Sequence, residues 1–114
     1  MSDYENEYSK SVICAASVYK QKYYFNDKYK DLPKQVKEEI RIKVVTLAEK
    51  LHCIFTMGFY DDGEIYFETR AEENDFAFDE IGAGLECSRL EREEKELIEK
   101  LNLWFRVFIK GEKL

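Results

Sequence analysis

The feature that most constrains what this chain can fold into is a seam of apolar residues near its C-terminus. Leu97, Leu101, Trp104 and Phe108 recur at spacings of four, three and four, and Leu90 lies seven residues before Leu97. Carrying the register backwards adds Cys87 and Ala83. That period belongs to a helix with one apolar stripe. The intervening run "RLEREEKELIEK" is charged and rich in strong helix formers. The seam has one fault, because Glu94 occupies a seam position.

Length turns this seam into a structural problem. A chain of 114 residues makes one domain with a single core. Its radius of gyration should be about 13 Å, hence a diameter of roughly 34 Å. A straight helix from Phe76 to Ile109 would be about 50 Å long and would not fit within that globule. Gly82 and Gly84 are the expected break, each costing about 1 kcal/mol in a helix interior. The spacing then predicts an acidic lead-in at Phe76–Ile81 and a helix from about Leu85 to Ile109. The alternative is a protruding helix that pairs with a second chain. In that case Leu90, Glu94, Leu97, Leu101, Trp104 and Phe108 are the interface candidates. Glu94 argues against a long dry coiled coil, although a polar seam residue can set register.

Upstream, residues 1–10 are polar and aperiodic, as expected of a tail. Val12, Cys14, Ala16 and Val18 alternate as one face of a strand. A second strand at about 22–26 follows a turn at Lys20–Gln21, with one long strand as the alternative, since no Gly, Asn or Asp marks the turn. "DKYKD" reads as loop. A helix is expected from near Asp31, its N-cap, with Pro33 in the first turn, to about Leu51. Its stripe is Val36, Ile40, Val44, Leu47, Ala48 and Leu51, and Ile42 and Val45 widen it, which predicts burial on more than one side. Lys34 and Lys37 stand at the wrong end of its dipole, a small cost with no obvious structural reason, which hints that the lysines are wanted on the surface.

A hairpin follows, "CIFTMGFY" and "EIYFETR" around "DDG". A two-residue loop would pair Met57 with Glu68 and Phe55 with Arg70, mixing charge into an apolar face. A three-residue loop, Asp61–Asp62–Gly63, pairs Phe59 with Ile65, Met57 with Phe67 and Phe55 with Thr69. It also gives Gly63 the left-handed position. Register follows burial, so the three-residue loop is expected. The acidic "AEEND" then leads to the last helix, with Asn74 or Asp75 as its cap. Residues 111–114 form a short tail after a domain of residues 11–110.

Charge and chemistry narrow the function classes without choosing among them. The net charge is -6, which disfavours nucleic acid and anionic membrane as general partners. The distribution is uneven: residues 20–50 carry nine Lys/Arg against five Asp/Glu, and residues 51–80 carry one against nine. Three cysteines, Cys14, Cys53 and Cys87, with no leader or membrane-length apolar run, point to a reducing cytosol. His52 and Cys53 are adjacent but lack zinc-ligand spacing, and strand neighbours point to opposite faces. "DDGEIYFETRAEEND" lacks the spacing of a calcium loop. Gly82-Ala83-Gly84 is too short for a dinucleotide fingerprint. "YKQKYY" interleaves cations with aromatics, but no ribonucleoprotein motif accompanies it. No catalytic, metal or cofactor residue emerges.

The runs "VYKQKYYFN", "FDEIGAGL" and "FRVF", in this order around the "DDG" hairpin, resemble a family of small uncharacterised proteins from Clostridia and related Gram-positive bacteria. The resemblance spans roughly Val12 to Ile109 and implies a bacterial cytosolic setting. It implies no chemistry.

The expected fold is α+β, an antiparallel sheet of three or four strands with two helices on one face in the order ββαββα. Three functions fit. The first is a non-catalytic interaction module that forms a homodimer through the seam. The second is a small-ligand-binding domain with a pocket near Tyr23, Tyr24, Gly82 and Gly84. The third is an enzyme using Glu72, Asp75, Asp79 and Glu80.

Overall fold

The computed structural model describes residues 9–113. The tail expected at residues 1–10 lies almost wholly outside them, and its last residue, Lys10, already belongs to a strand. Four strands, β1 (Lys10–Ser17), β2 (Lys22–Phe25), β3 (Ile54–Tyr60) and β4 (Ile65–Arg70), form one antiparallel sheet in the order β2-β1-β3-β4. Among the described residues there are three α-helices, α1 (Lys34–Leu51), α2 (Glu80–Glu93) and α3 (Lys95–Trp104). The fold is therefore mixed α+β with one helix more than the sequence pattern suggested. Buried residues of all three helices, Leu90 alone from α2, join Cys14, Ala16, Phe55, Met57 and Phe59 in one core.

The hairpin has the register expected from burial. Phe59 pairs with Ile65, Met57 with Phe67 and Phe55 with Thr69, and Gly63 takes φ +88°. Gly63 has a second duty, because a Cβ there would meet the Phe105 ring at 2.6 Å. In β1 the strict alternation fails at one point. The register slips between Val12 and Cys14, so Ile13 is the extra residue of a bulge. Ile13 is fully buried, while Val12 pairs with Gly58 on the opposite face of the sheet. Val18 lies beyond the strand, in the turn that Gln21 completes at φ +54°. That turn separates β1 from β2, so the long single strand does not form.

On the outer face, Tyr66 lies across Gly58: a Cβ there would meet the Tyr66 ring at 2.6 Å and Ser11 O at 2.5 Å. This is the aromatic filling of a glycine gap in a sheet. The Lys10 ammonium lies 5.0 Å from the Tyr66 ring centre and pairs with Glu68 at 2.7 Å.

The "DKYKD" segment is more than a loop. Residues Asp27–Tyr29 form a 3-10 turn capped by the Asn26 side chain, which accepts from the Lys28 N–H at 3.0 Å. The turn drives Tyr29 fully into the core, where its hydroxyl donates to Ser11 Oγ at 2.7 Å. α1 starts at Lys34, three residues after the expected cap, with Pro33 in the capping position. A proline has no side-chain acceptor, so no cap hydrogen bond forms there. Ile42 is exposed, so α1 buries one face and not two.

The largest departure concerns the seam. Gly82 and Gly84 do not break the helix; both lie inside α2. The break is at Glu94, whose φ of -103° and ψ of 32° leave the helical region. Glu94 is the seam's own fault. Carrying a straight helix through it would turn a carboxylate into the apolar core, an expensive burial. Bending there lets the carboxylate reach Lys43 of α1 at 3.0 Å. The bend also folds both halves onto the same core, where Leu90, Leu97 and Leu101 are buried. The helical run ends in a π-helical turn, Phe105–Ile109, closed by the Lys110 N–H to Phe105 O at 3.0 Å. Its wider winding brings Phe105 inward, with its ring centre 4.7 Å from that of Phe59, and leaves Phe108 exposed against Trp104.

Candidate functional site

One polar constellation joins three residues far apart in sequence. Tyr19 follows β1, His52 is the left-handed cap of α1 at φ 58°, and Asp75 lies in the connection between β4 and α2. The Tyr19 hydroxyl donates to Asp75 Oδ2 at 2.5 Å, and His52 Nδ1 lies 2.8 Å from the same oxygen. The Ala77 N–H donates to Asp75 Oδ1 at 2.9 Å, and the Glu72 N–H donates to the Tyr19 oxygen at 3.1 Å. The His52 ring meets the Tyr19 ring edge-on, with centroids 5.6 Å apart.

The electrostatics follow the geometry. Hydrogen bonds from Tyr19, Ala77 and His52 hold the Asp75 carboxyl below its ordinary range, with the Tyr19 bond the largest cause and desolvation opposing. Desolvation first, and the Asp75 acceptor second, push the Tyr19 phenol upwards. A His–carboxylate pair is a common catalytic fragment, but it acts through a nucleophile or a bound substrate. Here the neighbouring Cys53 is fully buried in the core, and Tyr19, His52 and Asp75 line neither the cleft between β2 and α1 nor the pocket between β1 and α1. The cluster fastens three segments together, and it explains how the "AEEND" connection is anchored. Asp75 is thus not the cap of α2; Asp79 holds that position without a side-chain bond.

The other sites expected from the sequence scatter. Of the six interface candidates, Leu90, Leu97 and Leu101 are consumed by the chain's own core, and Glu94 pairs with Lys43. Trp104 packs edge-on against Tyr29 at 6.1 Å, and only Phe108 stays exposed. The four pocket candidates do not converge. Tyr23 shares the core-side face with Ala16, whereas Tyr24 pairs with Ala15 on the opposite face. Gly82 and Gly84 belong to α2, which packs near β4 at the other edge of the sheet. Of the four acidic candidates, Glu72, Asp79 and Glu80 are exposed, and only Asp75 brings its carboxylate into the cluster, which Glu72 joins through its backbone N–H.

Two surface features remain. One is a cleft of about 340 Å³ between β2, the 3-10 turn and the first half of α1. Tyr23, Phe25 and Asn26 supply its sheet side, with Asp27 and Lys30 at one end and Lys34, Lys37, Glu38 and Arg41 along the helix. The other is an apolar strip at the start of α2. Phe76 is 95% exposed, Ile81 78% and Leu85 68%. Ile81, Leu85, Ser88 and Arg92, spaced four, three and four, lie on the side of α2 opposite its buried Ala83 and Leu90. Gly84 flanks this face with nothing within 4 Å of where its Cβ would stand.

Sequence reasoning missed the strip and saw the cleft only in part, through Tyr23 and the lysines at the start of α1. It treated Ile81 as part of a lead-in and looked for an interface on the face that the core consumes. The i, i+4 pair of Ile81 and Leu85 was the available signal.

Residues 10–113 match a family of unknown function (DUF6145). The chain belongs to that family. Comparison with curated proteins and with solved structures gave no match. No described helix is long and apolar enough to cross a membrane.

Proposed function

We propose that this protein is a non-catalytic interaction module that pairs with a second copy of itself through the outer face of α2. The observation that carries the reading is the exposed strip of Phe76, Ile81 and Leu85. Ile81 and Leu85 lie one turn apart on one helix face, Phe76 upstream of them is almost fully exposed, and large exposed apolar side chains of this kind often mark interaction sites. In an antiparallel arrangement about an axis between Ile81 and Leu85, each Ile81 meets the partner's Leu85. The open side of Gly84 lets the helices approach closely. The exposed Glu72, Glu73 and Asp79 of the acidic lead-in disfavour an anionic membrane or nucleic acid as occupant. The setting we propose is a bacterial cytosol, supported by three free cysteines and the family-like sequence runs.

Sedimentation equilibrium tests the reading. The parent protein is expected to dimerise at tens of micromolar, at the weak end for an interface of this size. Ile81→Asp and Leu85→Asp are expected to be monomers with unchanged circular dichroism, since both side chains already face solvent. A parent that stays monomeric at ~200 µM refutes the proposal.

A further inference from the structure

We propose that the cleft between β2 and α1 binds a small phosphate-bearing molecule with an aromatic ring, of the size and chemistry of a nucleoside monophosphate. Its volume of about 340 Å³ is at the small end of the range for metabolite sites. Its charge runs against that of the whole chain. Lys30, Lys34, Lys37 and Arg41 line it against only Asp27 and Glu38, in a protein of net charge -6. Cations gathered in one concavity repel each other, and the surrounding protein focuses their field into the space where an anion would sit.

The arrangement of these cations is specific. Lys34, Lys37 and Arg41 are three and four residues apart on α1, so one helix face presents all three to the cleft. Lys37 is already oriented, its ammonium donating to Lys30 O at 2.7 Å. Lys30 and Lys34 have no carboxylate within ion-pair distance among the described residues. Arg41 has only a distant one, Glu38 at 3.9 Å. The Lys37 bond ties the start of α1 to the 3-10 turn, whereas Lys34 is exposed and carries no ion pair among the described residues. A phosphate in the cleft supplies the missing countercharge.

The aromatic part of the ligand follows from the opposite wall. The Arg41 guanidinium lies 5.7 Å from the centre of the Tyr23 ring, and Tyr23 is half exposed. A guanidinium lying over an aromatic ring can grip a phosphate along its edge, and the exposed part of the Tyr23 ring can take a flat heterocycle. A free phosphate would use only the first part, so the ligand is expected to carry both.

Isothermal titration of the full chain at low salt with adenosine monophosphate, adenosine and inorganic phosphate tests this. The monophosphate is expected to bind about tenfold more tightly than phosphate, and adenosine not measurably. Lys34→Glu and Lys30→Glu, both at exposed positions, are each expected to weaken both anions about tenfold with unchanged circular dichroism. Tyr23→Ala should weaken the monophosphate and leave phosphate unchanged. Absence of heat from both anions at millimolar concentration overturns the proposal, as does binding that ignores Lys34→Glu. Equal affinities with no response to Tyr23→Ala overturn the aromatic part. Ile81→Asp should bind the monophosphate like the parent, which keeps this proposal separate from the pairing of α2.

Discussion

Gly58→Ala is expected to be among the most damaging small substitutions in this protein, while Gly84→Ala should stabilise it. At Gly58 the added methyl would stand 2.5 Å from Ser11 O and 2.6 Å from the Tyr66 ring. Two responses exist. Moving β1 would break the pairing of Val12 with Gly58, beside a bulge that already strains that ladder. Lifting the ring re-exposes Tyr66, which is only 5% exposed. Uncovering about half of a ring that buries roughly 150 Å² costs about 2 kcal/mol at ~25 cal/mol per Å². Residual crowding against the β1 carbonyl brings the total to about 2–3 kcal/mol. For a domain of this size that lowers the melting temperature by about 10 °C. At Gly84 the methyl meets nothing within 4 Å, and Ala is the better helix former by about 1 kcal/mol. Its melting temperature should rise by about 3 °C. Thermal and urea unfolding followed by far-ultraviolet circular dichroism measure both. A Gly58→Ala protein that melts within ~2 °C of the parent would refute the close-approach argument.

Other predictions follow from the core and the polar cluster. Leu101→Ala should cost about 3 kcal/mol, read as a lower urea midpoint with an unchanged slope, because Leu101 is almost fully buried between helix and sheet. The Asp75 carboxyl is held below its ordinary value of 3.8, so its share of stability is complete above that pH and is lost as pH falls through the native value. Asp75→Asn should therefore flatten the acid limb of a stability–pH profile; an unchanged limb would remove the cluster's role. Burial pushes the Cys14 and Cys53 thiols to about 11 from an ordinary 9.0, so that contribution is present below 9.0 and lost as pH rises towards 11. A thiol reagent at neutral pH should label half-buried Cys87 first and reach the other two only on unfolding; rapid labelling of all three would contradict this core.

How far the chain could be read depended on whether a feature is local. The hairpin was legible because a period of two, a glycine and a row of aromatics agree on one register. The tie between Tyr19, His52 and Asp75 was not, since its members are 23 to 56 residues apart and no local pattern joins them. The first turn of α1 shows a middle case. Lys34 and Lys37 were visible as a mismatch with the helix dipole, but their convergence with Lys30 and Tyr23 on one cleft needed the sheet edge to be placed.

The C-terminal seam divides most clearly between what sequence and tertiary structure decide. The sequence alone determined that residues from about 85 to 109 are helical in character, that their apolar stripe must be covered, and that Glu94 is its flaw. It could not decide whether the stripe closes within one chain or between two, because leucines at that spacing are satisfied by either. The structure decides it through Glu94. Two glycines cost about 1 kcal/mol each and can be carried inside a helix, but a carboxylate in an apolar core costs more than a broken turn. The chain therefore bends at Glu94, pairs it with Lys43, and folds both halves of the seam onto one sheet. With Ala83 and Leu90 buried, the opposite face of α2, with Ile81 and Leu85, stays exposed, and it is the face through which we propose that a second copy pairs.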